Sequence, residues 1–315
     1  MATILVTGVA GFIGFHVAKA LLKKGEEVIG VDNLSDYYDV KLKEDRLAQI
    51  KDKIKFYKVD ISDFDALEDV FSENKIEKVC HLAAQAGVRY SLENPWEYEK
   101  TNVHGTMNIF ELMKKFDIKN IVYASSSSVY GGNEKVPFSE SDNVDKPISL
   151  YAATKKANEL MAYTYHHLYD MNCTGLRFFT VYGPWGRPDM ALFKFTKSIL
   201  DNKPIDVYNY GKMKRDFTFI TDIVSGVMAS LDKCYPYEIF NLGNNNTVEL
   251  KYFIECLEKE LGKKAKKNML PMQPGDVPIT YADISKSKKM LGYSPKTEIE
   301  QGIKQFVDWY KSYKQ

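Results

Sequence analysis

Cysteine is scarce in this 315-residue chain: Cys80, Cys173, Cys234 and Cys256 lie far apart, with no CxxC pair. That excludes a disulfide scaffold and the ligand spacing of a zinc site. Cys80 and Cys173 fall in strand-like apolar runs and read as buried free thiols. Histidine offers no metal site either. His166-His167 and His81 have no partner at ligand spacing, so they read as a helix-surface pair and a strand-end packing residue. An excess of charge is also missing: 43 Lys+Arg stand against 42 Asp+Glu, leaving no global field to draw in nucleic acid or an anionic membrane. The one basic run, Gly262–Lys267, reads as a solvated helix end. No apolar stretch approaches the roughly 20 residues of a membrane span, and the first residues lack the basic start and cleavage site of a signal peptide. A metal-free cytoplasmic protein is the expectation.

What is present is regular alternation. Apolar residues make up 44%, ample for a core. Strand-like runs at Thr3–Thr7, Glu27–Val31, Lys55–Val59, Lys78–Leu82, Asn120–Ser125 and Asn172–Phe178 are separated by helical patterns. Those patterns cover Phe12–Lys24, Val40–Ile50, Phe64–Glu73, Asn102–Phe116 and Leu150–Tyr169. Six strands with helical crossovers predict an α/β fold, a doubly wound parallel sheet of the Rossmann kind. From about Tyr182 glycine and proline become frequent and strands shorten. A dinucleotide-binding domain over 1–180, with a return around 215–240, and a smaller C-terminal α/β substrate lobe over 181–315 are therefore expected.

The strongest local signal is Gly8-Val9-Ala10-Gly11-Phe12-Ile13-Gly14, which follows the first strand directly and opens a helix. Glycines there let the backbone approach a pyrophosphate seated on the helix N-terminus. Asp32 ends the second strand, 24 residues after Gly8, where a carboxylate accepts from ribose hydroxyls and repels a 2′-phosphate. That favours NAD over NADP. Asp60 closes the third strand; an adenine contact and a helix N-cap compete for it.

Tyr151-Ala152-Ala153-Thr154-Lys155 opens a helix and sets a phenol and an ammonium on one face. The ammonium, and a nicotinamide cation, would lower the phenol pKa and let Tyr151 take a proton from a substrate hydroxyl. Ser125-Ser126-Ser127-Ser128 closes the fifth strand, placing hydroxyls at the crevice; a plain polar turn accounts for some of the four.

These motifs, with Leu82-Ala83-Ala84-Gln85, Arg177–Pro184 and Lys214-Arg215-Asp216-Phe217, resemble the extended short-chain dehydrogenase/reductases over nearly the whole chain. The resemblance implies NAD contacts from Gly8, Gly11, Phe12, Ile13, Gly14, Asp32, Asn33, Asp60, Ile61, Leu82, Ala83, Ala84, Ser125, Tyr151 and Lys155. It implies a catalytic set of Tyr151, Lys155, Ser126 and Ser128, Ser126 lying 25 residues before Tyr151. It implies sugar-nucleotide contacts from Gln85, Arg89, Ser126, Ser127, Ser128, Tyr151, Thr180, Arg187, Arg215 and Asp276, with Arg215 on the UDP diphosphate. Gln273-Pro274-Gly275-Asp276 resembles the loop that closes over the nucleotide, although galactose epimerases commonly carry an arginine near Gln273.

Dehydratases and decarboxylases of this kind usually have a carboxylate before Val-Tyr-Gly, where this chain has Ser127-Ser128. Without that acid and base, epimerisation at C4 through a 4-keto sugar is the implied reaction. The loop Tyr182–Ala191, with Asp32–Tyr38 and Gln85–Ser91, resembles the UDP-glucuronate 4-epimerases, in which Arg187 would hold the sugar carboxylate. A brace for the loop is the plainer role for Arg187. UDP-glucose and UDP-N-acetylglucosamine are the alternative substrates, and a dehydratase or decarboxylase the alternative chemistry. The resemblance further implies a homodimer through Asn102–Phe116 and Leu150–Tyr169.

Overall fold

The strand-like runs are continuous rather than alternating because helices cover both faces of the sheet they build. In the computed structural model, which describes residues 1–273 and 276–314, six of the strands are β1 (Thr3–Thr7), β2 (Glu27–Val31), β3 (Lys55–Tyr57), β4 (Lys78–His81), β5 (Asn120–Ser126) and β6 (Asn172–Phe178). A seventh that the periodicity did not reveal, β7 (Tyr237–Leu242), comes from the C-terminal third and pairs in parallel with β6. Its alternation is interrupted by Glu238 and Asn241, and it sits at the sheet edge, where burial is incomplete over its first half. The order is β7-β6-β5-β4-β1-β2-β3, all parallel. The chain reverses direction across the sheet between β1 and β4, the crevice where such folds bind ligands.

Helices α1 (Phe12–Lys24), α2 (Val40–Ala48), α3 (Phe64–Ser72), α4 (Gly105–Lys115) and α5 (Leu150–Tyr169) connect the strands. The expected helix Asn102–Phe116 instead enters through a π-helical turn, Glu99–His104. Such a turn adds a residue to the helical repeat and re-aims a side chain; here Asn102 is fully buried. Ser149 caps α5 by accepting from the Ala152 amide, which sets Tyr151 in the first turn.

The second lobe is built from two-stranded ladders: Thr180–Tyr182 with Phe217–Phe219, Lys214–Arg215 with Val248–Glu249, and Pro204–Val207 with Lys266–Met269. An aromatic core including Phe193, Phe217, Phe253, Phe306 and Tyr310 fills it. The basic run is the solvated helix end expected of it, with Gly262, Lys264, Lys266 and Lys267 exposed, and it carries a further contact. The helix Leu250–Leu261 stops at left-handed Gly262, and Lys264 and Lys267 both converge on the buried Glu258. The chain also returns to the first half: helix Ile220–Lys233 packs on α1, and Ser285–Leu291 packs on that helix and on β7.

Candidate active site

A cavity of about 1040 Å³ opens at the carboxyl ends of the strands, between the two halves. Every site residue expected from the sequence lines it except Asp60.

Its floor begins at the glycine turn. Gly8 has φ 70°, and a Cβ there would lie 2.8 Å from the Ala83 amide nitrogen. On Gly14 a Cβ would fall 2.1 Å from the Gly8 carbonyl oxygen, and on Gly11 2.9 Å from it. The three glycines therefore fold the turn tightly against α1 and β4, leaving open backbone at the helix N-terminus: the cradle a pyrophosphate requires. Thr7 ties this turn to β4, its Oγ1 accepting from the Leu82 and Ala83 amides. His81 lies between Thr7 and Thr106, and burial pushes its imidazole down to about 3, so it stays a neutral packing residue.

Asp32 accepts from the Ala10 amide at 3.0 Å and the Leu34 amide at 2.9 Å. Burial pushes its carboxyl up, and nearby Lys43 draws it back. Asp60 accepts from Asn33 and from the Ser62 amide and hydroxyl. Of the two roles open to Asp60, the helix cap belongs instead to Asp63, which accepts from the Ala66 amide. Ile61 packs over Gly105 at the start of α4, where a Cβ would meet it at 2.7 Å.

The four serines at the end of β5 divide. Ser125 turns inward and donates to Glu159 at 2.7 Å, while Glu159 holds Arg177 bidentately at 2.8 and 2.9 Å, all buried. Ser126 and Ser128 form a hydroxyl pair at 3.1 Å, with the Ser128 amide also donating to Ser126. Ser127 lines the cavity beside them. Burial pushes the Tyr151 phenol up, opposed by a hydrogen bond with Ser126 and by the charge of Arg187. The expected depression by Lys155 is not what the protein alone produces: Lys155 donates to the Ala124 carbonyl at 2.9 Å, and burial lowers its own pKa to about 8. Asn102, which sequence reasoning missed, pairs with both backbone groups of Gln85 and donates to Thr154. It thereby locks the start of α5 to the β4 loop.

Across the cavity, Arg187 forms a bidentate pair with Asp189, Nε to Oδ1 at 3.0 Å and Nη2 to Oδ2 at 2.5 Å. The loop carrying them is held from the cofactor half. Arg46, fully buried, donates to the carbonyls of Trp185, Gly186 and Ala10 and to the Tyr38 hydroxyl. Ala10 lies in the glycine turn, so one guanidinium fastens the cofactor turn to the substrate loop. At the mouth, Arg89 pairs with Asp276 at 3.1 Å and lies over the Tyr208 ring. Arg215 lines the cavity beside this pair, and Thr180 opens the strand next to it. Of the expected closing loop, Pro274 and Gly275 lie outside the described residues. Lys43, also missed from the sequence, lines the cavity and donates to the Ser35 carbonyl at 2.6 Å.

A glycine cradle after β1, an acidic residue after β2 and a Tyr-x-x-x-Lys helix facing a serine-rich strand end define an extended short-chain dehydrogenase/reductase. A family model described as GDP-mannose 4,6 dehydratase matches residues 5–306, and the chain belongs to this family of NAD-dependent epimerases and dehydratases. The UDP-glucuronate 4-epimerase of Thermodesulfobacterium geofontis is 52% identical over 99% of this chain and 97% of that one. The UDP-glucuronic acid 4-epimerase of Bacillus cereus, solved with UDP-glucuronic acid and NAD, superposes with a TM-score of 0.93 at 35% identity over 99% of each chain. The Thermotoga maritima UDP-glucose 4-epimerase, solved with UDP-glucose, gives 0.92 at 32% identity, over 99% of this chain and 100% of that one.

Proposed function

We propose that the protein is an NAD-dependent UDP-sugar 4-epimerase that converts UDP-glucuronate to UDP-galacturonate through a 4-keto intermediate. The observation that carries this reading is the pairing of two features in one cavity: a Tyr151–Ser126–Ser128 hydroxyl cluster, and Arg187 across from it. The glycine cradle and Asp32 fit NAD and would hold it, and the cofactor would supply a reversible hydride acceptor at the sugar.

The residues supply the proton chemistry and the restraint. Tyr151 takes the proton of the C4 hydroxyl as the C4–H bond breaks, and returns it when the opposite face of the ketone is reduced. Ser126 and Ser128 hydrogen-bond the same oxygen, and Lys155 keeps a positive charge beneath the site. Elimination lacks its acid and base: Glu159 is sealed behind β5 by Arg177, and Asp189 is held by Arg187. A 4-keto uronate is a β-keto acid, which loses CO2 when its carboxylate bond aligns with the carbonyl π system. Arg187, holding the carboxylate by paired hydrogen bonds, keeps it out of that alignment. Arg215 and Arg89 offer positive charge at the mouth for the diphosphate.

The test is NMR analysis of products after the protein is incubated with UDP-glucuronate and catalytic NAD. UDP-galacturonate at an equilibrium ratio, without CO2 or net NADH, is expected. Turnover of UDP-glucose or UDP-N-acetylglucosamine alone would keep the chemistry and remove Arg187 from it; the near-equal structural likeness to a UDP-glucose epimerase is the reason to assay both. Two companions belong to the proposal. A cytoplasmic location fits four free cysteines and, among the described residues, no helix apolar enough to cross a membrane. A homodimer fits Met107 on α4 and Leu160, Tyr163 and Leu168 on α5, large apolar side chains left exposed. Sedimentation at micromolar concentration distinguishes dimer from monomer.

A further inference from the structure

A guanidinium has two edges that bind a carboxylate, the side edge of Nε and one Nη, and the end edge of the two Nη groups. In Arg187 the side edge is filled by Asp189. The Tyr37 hydroxyl also approaches the guanidinium, but among the described residues no second carboxylate pairs with it, and the residue lines the cavity, so the end edge is the one offered to a ligand. Asp189 is itself anchored. The Tyr37 hydroxyl, reaching from the segment after β2, donates to Asp189 Oδ2 at 3.2 Å. Tyr37 cannot move far: its ring packs against Tyr90 at 4.9 Å, and its hydroxyl sits where a Cβ on Gly87 would come within 2.7 Å. Burial and Asp189 push the phenol up to about 12, so it remains a donor at neutral pH.

We propose that Tyr37 and Asp189 are positioning residues for sugar selectivity: the chain Tyr37–Asp189–Arg187 aims the free end edge of Arg187 at the carboxylate of an acidic sugar. This rests on the uronate reading above. Asp189 fixes the plane of the guanidinium, and the N–H groups left on the end edge match the two oxygens of a carboxylate better than a single sugar hydroxyl. Tyr37 belongs to the same segment as Asp32, which ties the aim of the clamp to the cofactor half. Loss of the relay leaves Arg187 charged but free to swing, and a swinging guanidinium pays ordering entropy when it pairs. A neutral sugar, which makes no such pair, is spared that loss.

The experiment compares kcat and KM for UDP-glucuronate and UDP-glucose in the parent protein, Asp189→Asn and Tyr37→Phe, each checked for retained NAD. In Asp189→Asn the preference for the uronate, as a ratio of kcat/KM values, is expected to fall about tenfold, and in Tyr37→Phe about threefold. Most of the loss is expected in the KM for the uronate. A ratio unchanged within about twofold in both variants, with both substrates weakened together, would show a loop brace indifferent to the sugar and overturn the proposal. If Asp189→Asn does not fold, Tyr37→Phe alone decides. A parent protein that fails to convert UDP-glucuronate at all would overturn the functional reading itself, and the relay with it.

Discussion

The two sides of the cavity are held in different ways. On the catalytic side, Tyr151, Lys155 and Ser126 rest on α5 and β5, and the groups that fix them are buried: Glu159 with Arg177 and Ser125, and Asn102 with Gln85 and Thr154. On the substrate side, Arg187, Arg215, Arg89 and Asp276 stand on loops and two-residue strands, partly exposed, and are fixed by one another or by Arg46 and Tyr37 from the opposite half. Proton transfer demands fixed geometry between a few atoms, and a buried network over-determines it. Recognition of a large anionic ligand demands entry and release, which partly exposed pairs allow. The same fold can therefore keep its chemistry and change its substrate by altering loops.

The sharpest way to break this contrast is to remove the one atom that moves the proton. Tyr151→Phe is expected to lower kcat by about 10²–10⁴-fold while NAD content and the KM for the UDP-sugar change little, read by steady-state turnover and cofactor extraction. A comparable loss in NAD content would show that the phenol holds the cofactor rather than the proton. Next comes the support beneath it. Arg177→Met leaves the buried Glu159 with only the Ser125 hydroxyl and the more distant Lys156, and breaking such a buried pair costs about 3–5 kcal/mol. Thermal melting is expected to show this as a large drop. The same substitution at Arg187 removes a partly exposed pair, so its cost is expected in binding: about 2–5 kcal/mol for the uronate, read as a raised KM. An unchanged KM for the uronate would strike Arg187 from the clamp.

The catalytic side was also the more legible in the sequence. The glycine turn, Asp32 and Tyr-x-x-x-Lys act through local backbone geometry, so their spacing carries their meaning, and the boundaries of β1, β2, β6, α1 and α5 emerge at the expected residues. What was illegible depends on partners far apart in the chain. Arg46 reads as one more polar residue on an amphipathic helix, yet it meets Trp185 and Gly186 about 140 residues on. Glu159 looks like a surface position until Arg177 and Ser125 arrive from β6 and β5. Asp60 shows the limit of a position-based expectation: the chain continues through Asp60, Ser62 and Asp63, and the later aspartate takes the cap because its amide spacing to Ala66 fits. Lys155 shows the limit of a charge-based one, since a spacing of four names a neighbour without saying that burial will outweigh its field.

That burial has a pH signature that sharpens the contrast further. The Lys155 pKa falls from 10.5 to about 8. Between those values the unfolded chain holds a proton the folded one has lost, so this group adds stability as pH rises through that window. The ammonium beside Ala124 is lost over the same window. Activity is therefore expected to decline above about pH 8 while the Lys155 contribution to melting temperature rises, and Lys155→Met should remove that rise. An alkaline decline in activity matched by a parallel decline in the Lys155 contribution would place the cause in unfolding rather than in the site.

The smallest expected effect comes from the mouth. Arg89 and Asp276 are 50% and 20% exposed, and a pair so placed contributes about 0–1 kcal/mol to stability. Arg89→Gln should leave the melting temperature nearly unchanged. Its effect should appear on ligand binding instead, because burial and then the neighbouring Arg89 charge both disfavour the Arg215 guanidinium, and a diphosphate relieves that repulsion. Inhibition by UDP is expected to weaken a few-fold, about threefold, in low salt, and less at an ionic strength where the Debye length shrinks below about 8 Å. The opposite pattern, a lowered melting temperature with unchanged UDP inhibition, would make Arg89 a structural tie to Asp276. The substrate side would then hold one more buried-style brace, and the difference between the two walls of the cavity would narrow by that much.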